Sequence, residues 1–231
     1  MQKIKQFFKD EISGWKPLEV VWLCVASVII LSLSIYWKDS IIAIISALTG
    51  VWCVILTGKG KLSSFFVGTI NTVLYAYIAF GAKYYGDVML NMLYYLPTEF
   101  IGIYAWKKNM NQSTGEVVKK KLNLKQSIWV YAGTAAAVGI YGFILGKLGG
   151  NLPYVDSTST VLSIVAQILC IKRFAEQWVI WIAVNTVTVI MWIFAFFNGG
   201  ESVATLIMWI VYLLNAIFML IKWRKEAKNA V

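Results

Sequence analysis

The sequence predicts an all-α integral membrane protein with eight transmembrane helices. Hydrophobic residues make up 59% of its 231 residues and charged residues only 14%, and the mean hydropathy is +0.69. This balance exceeds what the core of a soluble domain requires. Apolar runs recur along nearly the whole chain, each long enough to cross a hydrocarbon core of about 30 Å as a helix. The predicted spans cover residues 17–37, 40–58, 63–82, 86–106, 128–148, 156–174, 177–197 and 202–223.

The segment before the first span, residues 1–16, is predicted to be a cytoplasmic arm. Apolar residues such as Phe7 and Ile12 recur at helical spacing among lysines, so the arm lies on the membrane surface or, alternatively, is a frayed tail. The span 17–37 is too long for the apolar region of a signal peptide and ends without a small-residue cleavage site. It is therefore predicted to be a retained extra helix.

The net charge of +10 is explained by where the basic residues lie. With the N-terminus in the cytoplasm, all but Lys38, Lys83 and Lys147 of the 21 basic residues fall in cytoplasmic segments. This positive-inside distribution is typical of an inner (plasma) membrane protein and needs no nucleic-acid partner. Both termini are therefore predicted to be cytoplasmic, with residues 223–231 as a cytoplasmic tail and the lipid bilayer as the surroundings.

The residue types that metal and nucleophile chemistry need are missing or scattered. Histidine is absent, and Cys24, Cys53 and Cys170 lie in different spans without a CxxC pair. No GxxxxGK[ST] or GxGxxG motif for a nucleotide occurs. The sequence therefore predicts no catalytic residue, no metal site and no cofactor. An intramembrane enzyme is left as a remote alternative, because Asp87 and Glu201 lie at predicted outer helix ends as boundary charges.

The chain contains an internal repeat. An offset of 114 residues brings 40–108 onto 154–222 without a gap and places Asn71 on Asn185. Each repeat holds three predicted helices, and residues 109–148 between them form a cytoplasmic connection and a single linker helix. Both repeats therefore enter the membrane in the same direction, an arrangement that transporters use with substrate bound near the midplane.

The run EQWVIWIAVN carries an aromatic and polar stripe on one helix face. Trp178, Trp181 and Asn185 share a narrow wedge at helical spacing, and Thr188 and Trp192 extend it. Trp178 lies near a membrane interface, where a tryptophan is expected in any case. The deeper tryptophans are suited to stack on a planar ring, and cation–π attraction favours a positively charged one. The stripe therefore predicts a site for a flat, polar solute.

Other polar side chains lie deep in the predicted spans, where each is costly unless it is paired or faces water. They either hold helices together or bind substrate, and Asn71 and Asn185 favour binding because the repeat axis places them face to face. No Lys or Arg lies in the middle of a span, so the cargo is predicted to be neutral or cationic. Further candidates for hydrogen bonds to substrate are Asn91, Gln167 and Asn215.

Glu99 is the one acid predicted to lie deep in a span. It pairs with a cationic substrate, relays a proton, or stays neutral through hydrogen bonds, and the sequence leaves these roles and a purely structural one open. Pro97, two residues earlier, frees the carbonyl of Leu93 and is a candidate hinge.

The helix order of one, three, one and three and the WxxWxxxN run (Trp178, Trp181, Asn185) resemble the Pnu vitamin transporters, and within them the nicotinamide riboside carriers called PnuC. The resemblance covers essentially the whole chain. It implies a SWEET-like fold with the substrate site in the central cavity. It also implies a homotrimer, and facilitated diffusion of an unphosphorylated vitamin precursor that a cytoplasmic kinase then traps.

The leading hypothesis is therefore a uniporter for nicotinamide riboside, in which Trp178 and Trp181 help shape an aromatic site. The nearest alternative keeps the fold and changes the cargo to thiamine, riboflavin or a nucleoside, which related carriers take. A channel is disfavoured, because the spans offer isolated polar points rather than a continuous polar stripe.

Overall fold

The computed structural model describes residues 2–149, 153–197 and 203–229. A π-helical segment, Leu90–Tyr95, joins α5 to α6, and β1 (Met110–Asn111) and β2 (Glu116–Val117) form a short antiparallel hairpin. The α-helices in the described ranges are α1 (Gln2–Ile12), α2 (Pro17–Trp37), α3 (Ile41–Lys59), α4 (Ser63–Gly81), α5 (Tyr85–Met89), α6 (Leu96–Lys107), α7 (Leu124–Lys147), α8 (Pro153–Ile171), α9 (Gln177–Phe197) and α10 (Val203–Asn229).

Seven of the described helices, α2, α3, α4 and α7 to α10, are long and apolar enough to cross a membrane. The prediction of an all-helical, multi-pass membrane protein is confirmed at that level. The predicted span 86–106 consists of α5, the π-helical segment and α6, which follow one another without a break. Pro97 explains the division: a proline has no N–H and its ring clashes with the carbonyl four residues earlier, and a wider π-helical turn relieves that clash.

Some helix ends differ from the predicted ones. Helix α7 begins at Leu124 because Asn123 and Gln126 form a capping box, in which each side chain accepts a hydrogen bond from the other residue's N–H, at 2.8 and 3.0 Å. Helix α10 continues to Asn229, so most of the predicted tail is helical, and Trp223 in it is fully buried. Glu201 lies outside the described residues.

The long helices pack in two groups. In the first, α3 packs on α4, and α4 packs on α6; in the second, α8 packs on α9, and α9 packs on α10. The groups meet where α10 contacts α3 and where α6 contacts α8. Helix α2 lies against α3 and α10, and α7 lies against α8. The space between the two groups is the place where a site can form.

The two ends of the bundle differ in charge and in packing. We call the end that holds Lys59, Lys119 and Lys222 the basic end, and the end that holds Lys83 and Asp156 the far end. A cluster of buried aromatic rings lies at the basic end, and we call it the basic-end aromatic cluster. Its members are Phe65, Trp106, Trp178 and Trp223.

Helix α1 is held against the basic end by polar contacts that the sequence did not predict. The Lys61 ammonium donates to the Asp10 carbonyl, and the Ser63 hydroxyl donates to the Glu11 carboxylate. Gly115 permits the close approach, because a Cβ there would lie 2.6 Å from the Asp10 carbonyl oxygen. Helix α1 is therefore docked on the basic end in this structure, and its place at the membrane surface stays a prediction. Ile12 stays exposed on this helix, as a membrane-surface arm requires.

Candidate binding cavity

A central cavity of about 830 Å³ lies between the two helix groups. Small-molecule sites range from about 300 to 1,000 Å³, so the cavity has room for a small solute. It reaches the far end, where Lys83, Tyr84 and Gly86 line it, and it extends toward the basic end as far as Thr57 and Trp178. The residues predicted from the sequence that line it are Asn71, Asn91, Glu99, Gln167, Trp178, Trp181, Asn185 and Thr188.

Helix α9 presents one face to this cavity, as its spacing predicts. Trp178 is buried, and its ring packs edge-on against Trp223 with centroids 5.7 Å apart. Trp181 is half-buried and lies tilted against Tyr95, with ring centroids 6.3 Å apart and planes at 41°. Trp178 therefore belongs both to the cavity wall and to the basic-end aromatic cluster. Trp181 and Tyr95 form an aromatic surface nearer the middle of the bundle.

Trp192 departs from the predicted stripe. It is fully buried and packs against Tyr75 and Tyr84, with ring centroids 6.3 and 5.5 Å away. It does not line the cavity. At 100° per residue it still lies within about 40° of Trp178 on α9, so the rotation of the helix does not explain its absence from the wall. Tyr75 of α4 and Tyr84 cover it instead.

The two asparagines at corresponding repeat positions line the same cavity but differ in their partners. The Asn71 amide donates to the Ser46 carbonyl at 2.8 Å and accepts from the Tyr212 hydroxyl at 3.3 Å. Asn185 is 4% exposed, and its side chain has no hydrogen bond to any residue that the structure describes. Asn71 therefore holds helices together, whereas the Asn185 amide is available to hydrogen-bond with a ligand in the cavity.

Three other polar residues offer part of their hydrogen-bonding capacity to the cavity. The Asn91 amide donates to the Asp87 carbonyl at 2.8 Å, and the Gln167 amide donates to the Thr98 hydroxyl at 3.3 Å. Their side-chain oxygens have no donor in the described ranges. Thr188 donates to the Val184 carbonyl at 3.0 Å, which leaves its oxygen as an acceptor.

Asn215, a predicted site residue, lies elsewhere. It is fully buried and donates to the Val54 carbonyl at 3.0 Å, so it links α10 to α3. It is not part of the cavity wall. Sequence gives the depth of a residue along a helix but not the rotation of that helix about its axis, so it did not place Asn215 outside the wall. A role of Asn215 in binding stays a prediction. Pro97 likewise lies outside the wall, in the first turn of α6, and its role as a hinge stays a prediction.

Several tyrosines and an aspartate of the site were missed from sequence. Asp87, interpreted as a boundary charge, lines the cavity and accepts a hydrogen bond from the Tyr75 hydroxyl at 3.1 Å. Tyr95 and Trp209, which also line it, correspond to each other at the 114-residue offset. That correspondence was the signal that would have found this pair.

Glu99 lines the cavity from α6 and is 8% exposed. No hydrogen bond and no ion pair reaches its carboxyl group from the residues described. The interpretation that it stays neutral through protein hydrogen bonds therefore has no support in the contacts of the described chain.

An ion network closes the basic end. Lys59 lies 2.7 Å from Glu19 and 2.9 Å from Glu116, and Lys119 lies 2.7 Å from Glu116. Burial raises the pKa of Glu116, but attraction and hydrogen bonds from Lys119 and Lys59 outweigh burial and hold that pKa below its usual value. Phe65 and Trp178 of the basic-end aromatic cluster line the cavity on this side, whereas no residue of the ion network does, and at the other side the lining reaches the far end.

Known proteins resemble this chain over nearly its whole length. The family described as nicotinamide mononucleotide transporter matches residues 40–225. The chain is 39% identical to the nicotinamide riboside transporter PnuC of Neisseria mucosa, over 96% of this chain and 86% of that protein. It is 36% identical to the nicotinamide riboside transporter PnuC of Haemophilus influenzae, over 98% and 97% of the two chains.

A solved structure shares the fold. It is described as the crystal structure of the vitamin B3 transporter PnuC, and it aligns with this structure at a TM-score of 0.88 and 38% sequence identity. The alignment covers 97% of this chain and 98% of the other.

Proposed function

Because the chain belongs to the nicotinamide mononucleotide transporter family, and because the relatives above are named for nicotinamide riboside, we propose that it carries nicotinamide riboside across the membrane by facilitated diffusion. The observation that carries the proposal is the aromatic surface of Trp181 and Tyr95 in the same cavity as the amide of Asn185, which no described residue binds. A nicotinamide ring stacks on the first, and the ribose or carboxamide binds the second.

The charges of the cavity favour the riboside over the mononucleotide of the family's description. Lys83 is the basic residue among the described residues that line the cavity, and it lies at the far end. A phosphate held deep in a site of low dielectric needs Arg or Lys partners, or backbone N–H groups at a helix N-terminus. The deep part offers amide and hydroxyl groups instead, which suit an unphosphorylated sugar. We assign those hydrogen bonds to Asn185, Gln167, Asn91 and Thr188.

We also propose that α5, the π-helical segment and α6 act as one span, which gives eight spans and two parallel three-helix repeats. The support is that the two helix groups have corresponding contacts, with α3 on α4 matching α8 on α9. The basic end would face the cytoplasm of an inner (plasma) membrane, with both termini there. In that orientation the structure is outward-facing, and transport requires the basic end to open as the far end closes.

The protein itself is proposed to perform no chemistry, and its relatives are named as transporters rather than enzymes. Uptake would then be completed by a cytoplasmic kinase that phosphorylates the riboside and so prevents its return. The homotrimer implied by the family resemblance is part of the same proposal.

Titration calorimetry on the purified, detergent-solubilised protein tests the cargo directly. Nicotinamide riboside, nicotinamide mononucleotide and thiamine are titrated separately, and we expect heat of binding from the riboside alone. Binding of thiamine in its place would keep the fold and overturn the cargo. Uptake of riboside into proteoliposomes, equal in both directions when no kinase is present, then tests facilitated diffusion.

A further inference from the structure

Glu99 has a carboxyl group that the described part of the protein leaves without a partner. The residue is more than nine-tenths buried and lines the central cavity. A buried carboxylate is stable only when hydrogen bonds or a positive charge compensate for the lost water. Since neither comes from the surrounding helices, we infer that the partner arrives through the cavity.

The residues of α3 and α4 near the Glu99 carboxyl group are small and uncharged. A Cβ at Gly68 of α4 would lie 3.1 Å from one Glu99 oxygen and 3.2 Å from the other, and 3.0 Å from the Cys53 sulfur. The carboxyl group therefore packs against the bare backbone of Gly68, which the Cys53 thiol also approaches. Helix α4 thus leaves space for the Glu99 carboxyl group at Gly68 but supplies no positive charge to neutralise it.

The position of Glu99 relates it to the aromatic surface. Glu99 follows Tyr95 by four residues, so both side chains project from the same side of this helical segment. Tyr95 pairs with Trp181. A ring stacked on these two residues is therefore placed near the carboxyl group.

We propose that Glu99 is the counter-ion that makes this cavity select a positively charged aromatic ring over a neutral ring of the same shape. The inference rests on the proposed function, because the pyridinium ring of nicotinamide riboside carries such a charge. The carboxylate attracts the ring's charge directly, and the aromatic faces attract it through cation–π contact. The ribose and the carboxamide take no part in this selection, since both ligands below carry them.

The test compares nicotinamide riboside with 3-carbamoylphenyl riboside, in which a neutral benzene ring replaces the pyridinium. Both are titrated into the purified full-length protein and into Glu99→Gln, which keeps the shape and removes the charge. We expect the Kd of nicotinamide riboside to rise about tenfold to a hundredfold in the variant, as for a lost hydrogen bond or contact to a charged group. The Kd of the neutral analogue should change little, so the preference for the cation falls.

Glu176→Gln is the matched control. Glu176 is a buried glutamate outside the cavity wall that accepts a hydrogen bond from the Leu122 N–H at 3.0 Å, so its variant should retain the preference for the cation. Glu99→Asp, which keeps the charge, should retain it as well and serves if Glu99→Gln fails to fold.

The outcomes separate this inference from the function it rests on. Equal weakening of both ligands in Glu99→Gln, or an equal loss of preference in Glu176→Gln, overturns the role of Glu99 as the counter-ion while the transporter stands. Equal binding of the two ligands to the unchanged protein overturns it too. Absence of riboside binding to the unchanged protein overturns the proposed function and this inference together.

Discussion

Replacing Trp181 by alanine should weaken binding of nicotinamide riboside by about tenfold to a hundredfold. The indole is one of two rings, with Tyr95, that form the deep aromatic surface of the cavity. Stacking of a base on an aromatic side chain contributes about 1–3 kcal/mol, and each 1.4 kcal/mol is about tenfold in Kd. Trp181→Phe keeps an aromatic plane, so its affinity for the riboside should lie between that of the unchanged protein and that of Trp181→Ala.

The assay is calorimetric titration paired with a thermal unfolding curve in the same detergent. The unfolding curve is needed because Trp181 also packs against neighbouring apolar residues, and its loss lowers stability. Trp129, 71% exposed on the outer surface of α7, is the matched control, and Trp129→Ala should leave the Kd unchanged. An unchanged Kd in folded Trp181→Ala would refute the aromatic site.

Three further predictions follow from single contacts. Asn185→Ala should raise the Kd of the riboside about tenfold and change the melting temperature little. Asn71→Ala should instead lower the melting temperature, because two helices lose a shared hydrogen-bond partner. The reverse result would show that Asn71 binds the ligand and that Asn185 holds the helices together. Glu116 has a lowered pKa, so its ion pairs stabilise the protein above the ordinary carboxyl pKa of about 4.3, and this stabilisation is lost as the pH falls below that value. Melting curves from pH 6 to about 3 should show the loss. Glu116→Gln should make the melting temperature depend less on pH. Gly102→Ala should destabilise the protein by about 1–3 kcal/mol, because the new Cβ would lie 2.1 Å from the Phe65 ring. Gly139→Ala should not destabilise it, because nothing lies within 4 Å of a Cβ there. Equal melting temperatures of the two variants would contradict this packing.

The sequence predicted most about the features that local geometry controls. Helical spacing was enough to place Trp178, Trp181, Asn185 and Thr188 on one face, because all four lie within three turns of one helix. Composition and charge placement were enough for the membrane class, and the resemblance to the Pnu transporters is confirmed by the family match and by the solved structure.

The features that were missed depend on contacts between distant parts of the chain. Asn215 was assigned to the site because it is polar and deep, but its helix is rotated so that it meets the Val54 carbonyl. The docking of α1 depends on Gly115, about a hundred residues away, whose missing side chain leaves room for Asp10. Neither a rotation nor such a distant contact has a periodic signal in one sequence.

A comparison of the two asparagines explains how a repeated scaffold can form a one-sided site. At the 114-residue offset, Tyr212 beside Asn71 corresponds to Thr98, and Gly50 corresponds to Ile164. Gly50 makes room for the tyrosine, because a Cβ there would lie 2.0 Å from the Tyr212 hydroxyl.

On the other side a threonine replaces the tyrosine, and its hydroxyl already donates to the Tyr95 carbonyl at 2.9 Å. Among the described residues Asn185 therefore has no hydrogen-bond partner for the same reason that Asn71 has one: the difference lies in the neighbouring side chains and not in the amides. In one half the protein supplies the hydroxyl group that meets the amide. In the other half we expect a hydroxyl group of the proposed riboside to take that place, so the scaffold can keep its approximate symmetry while its substrate has none.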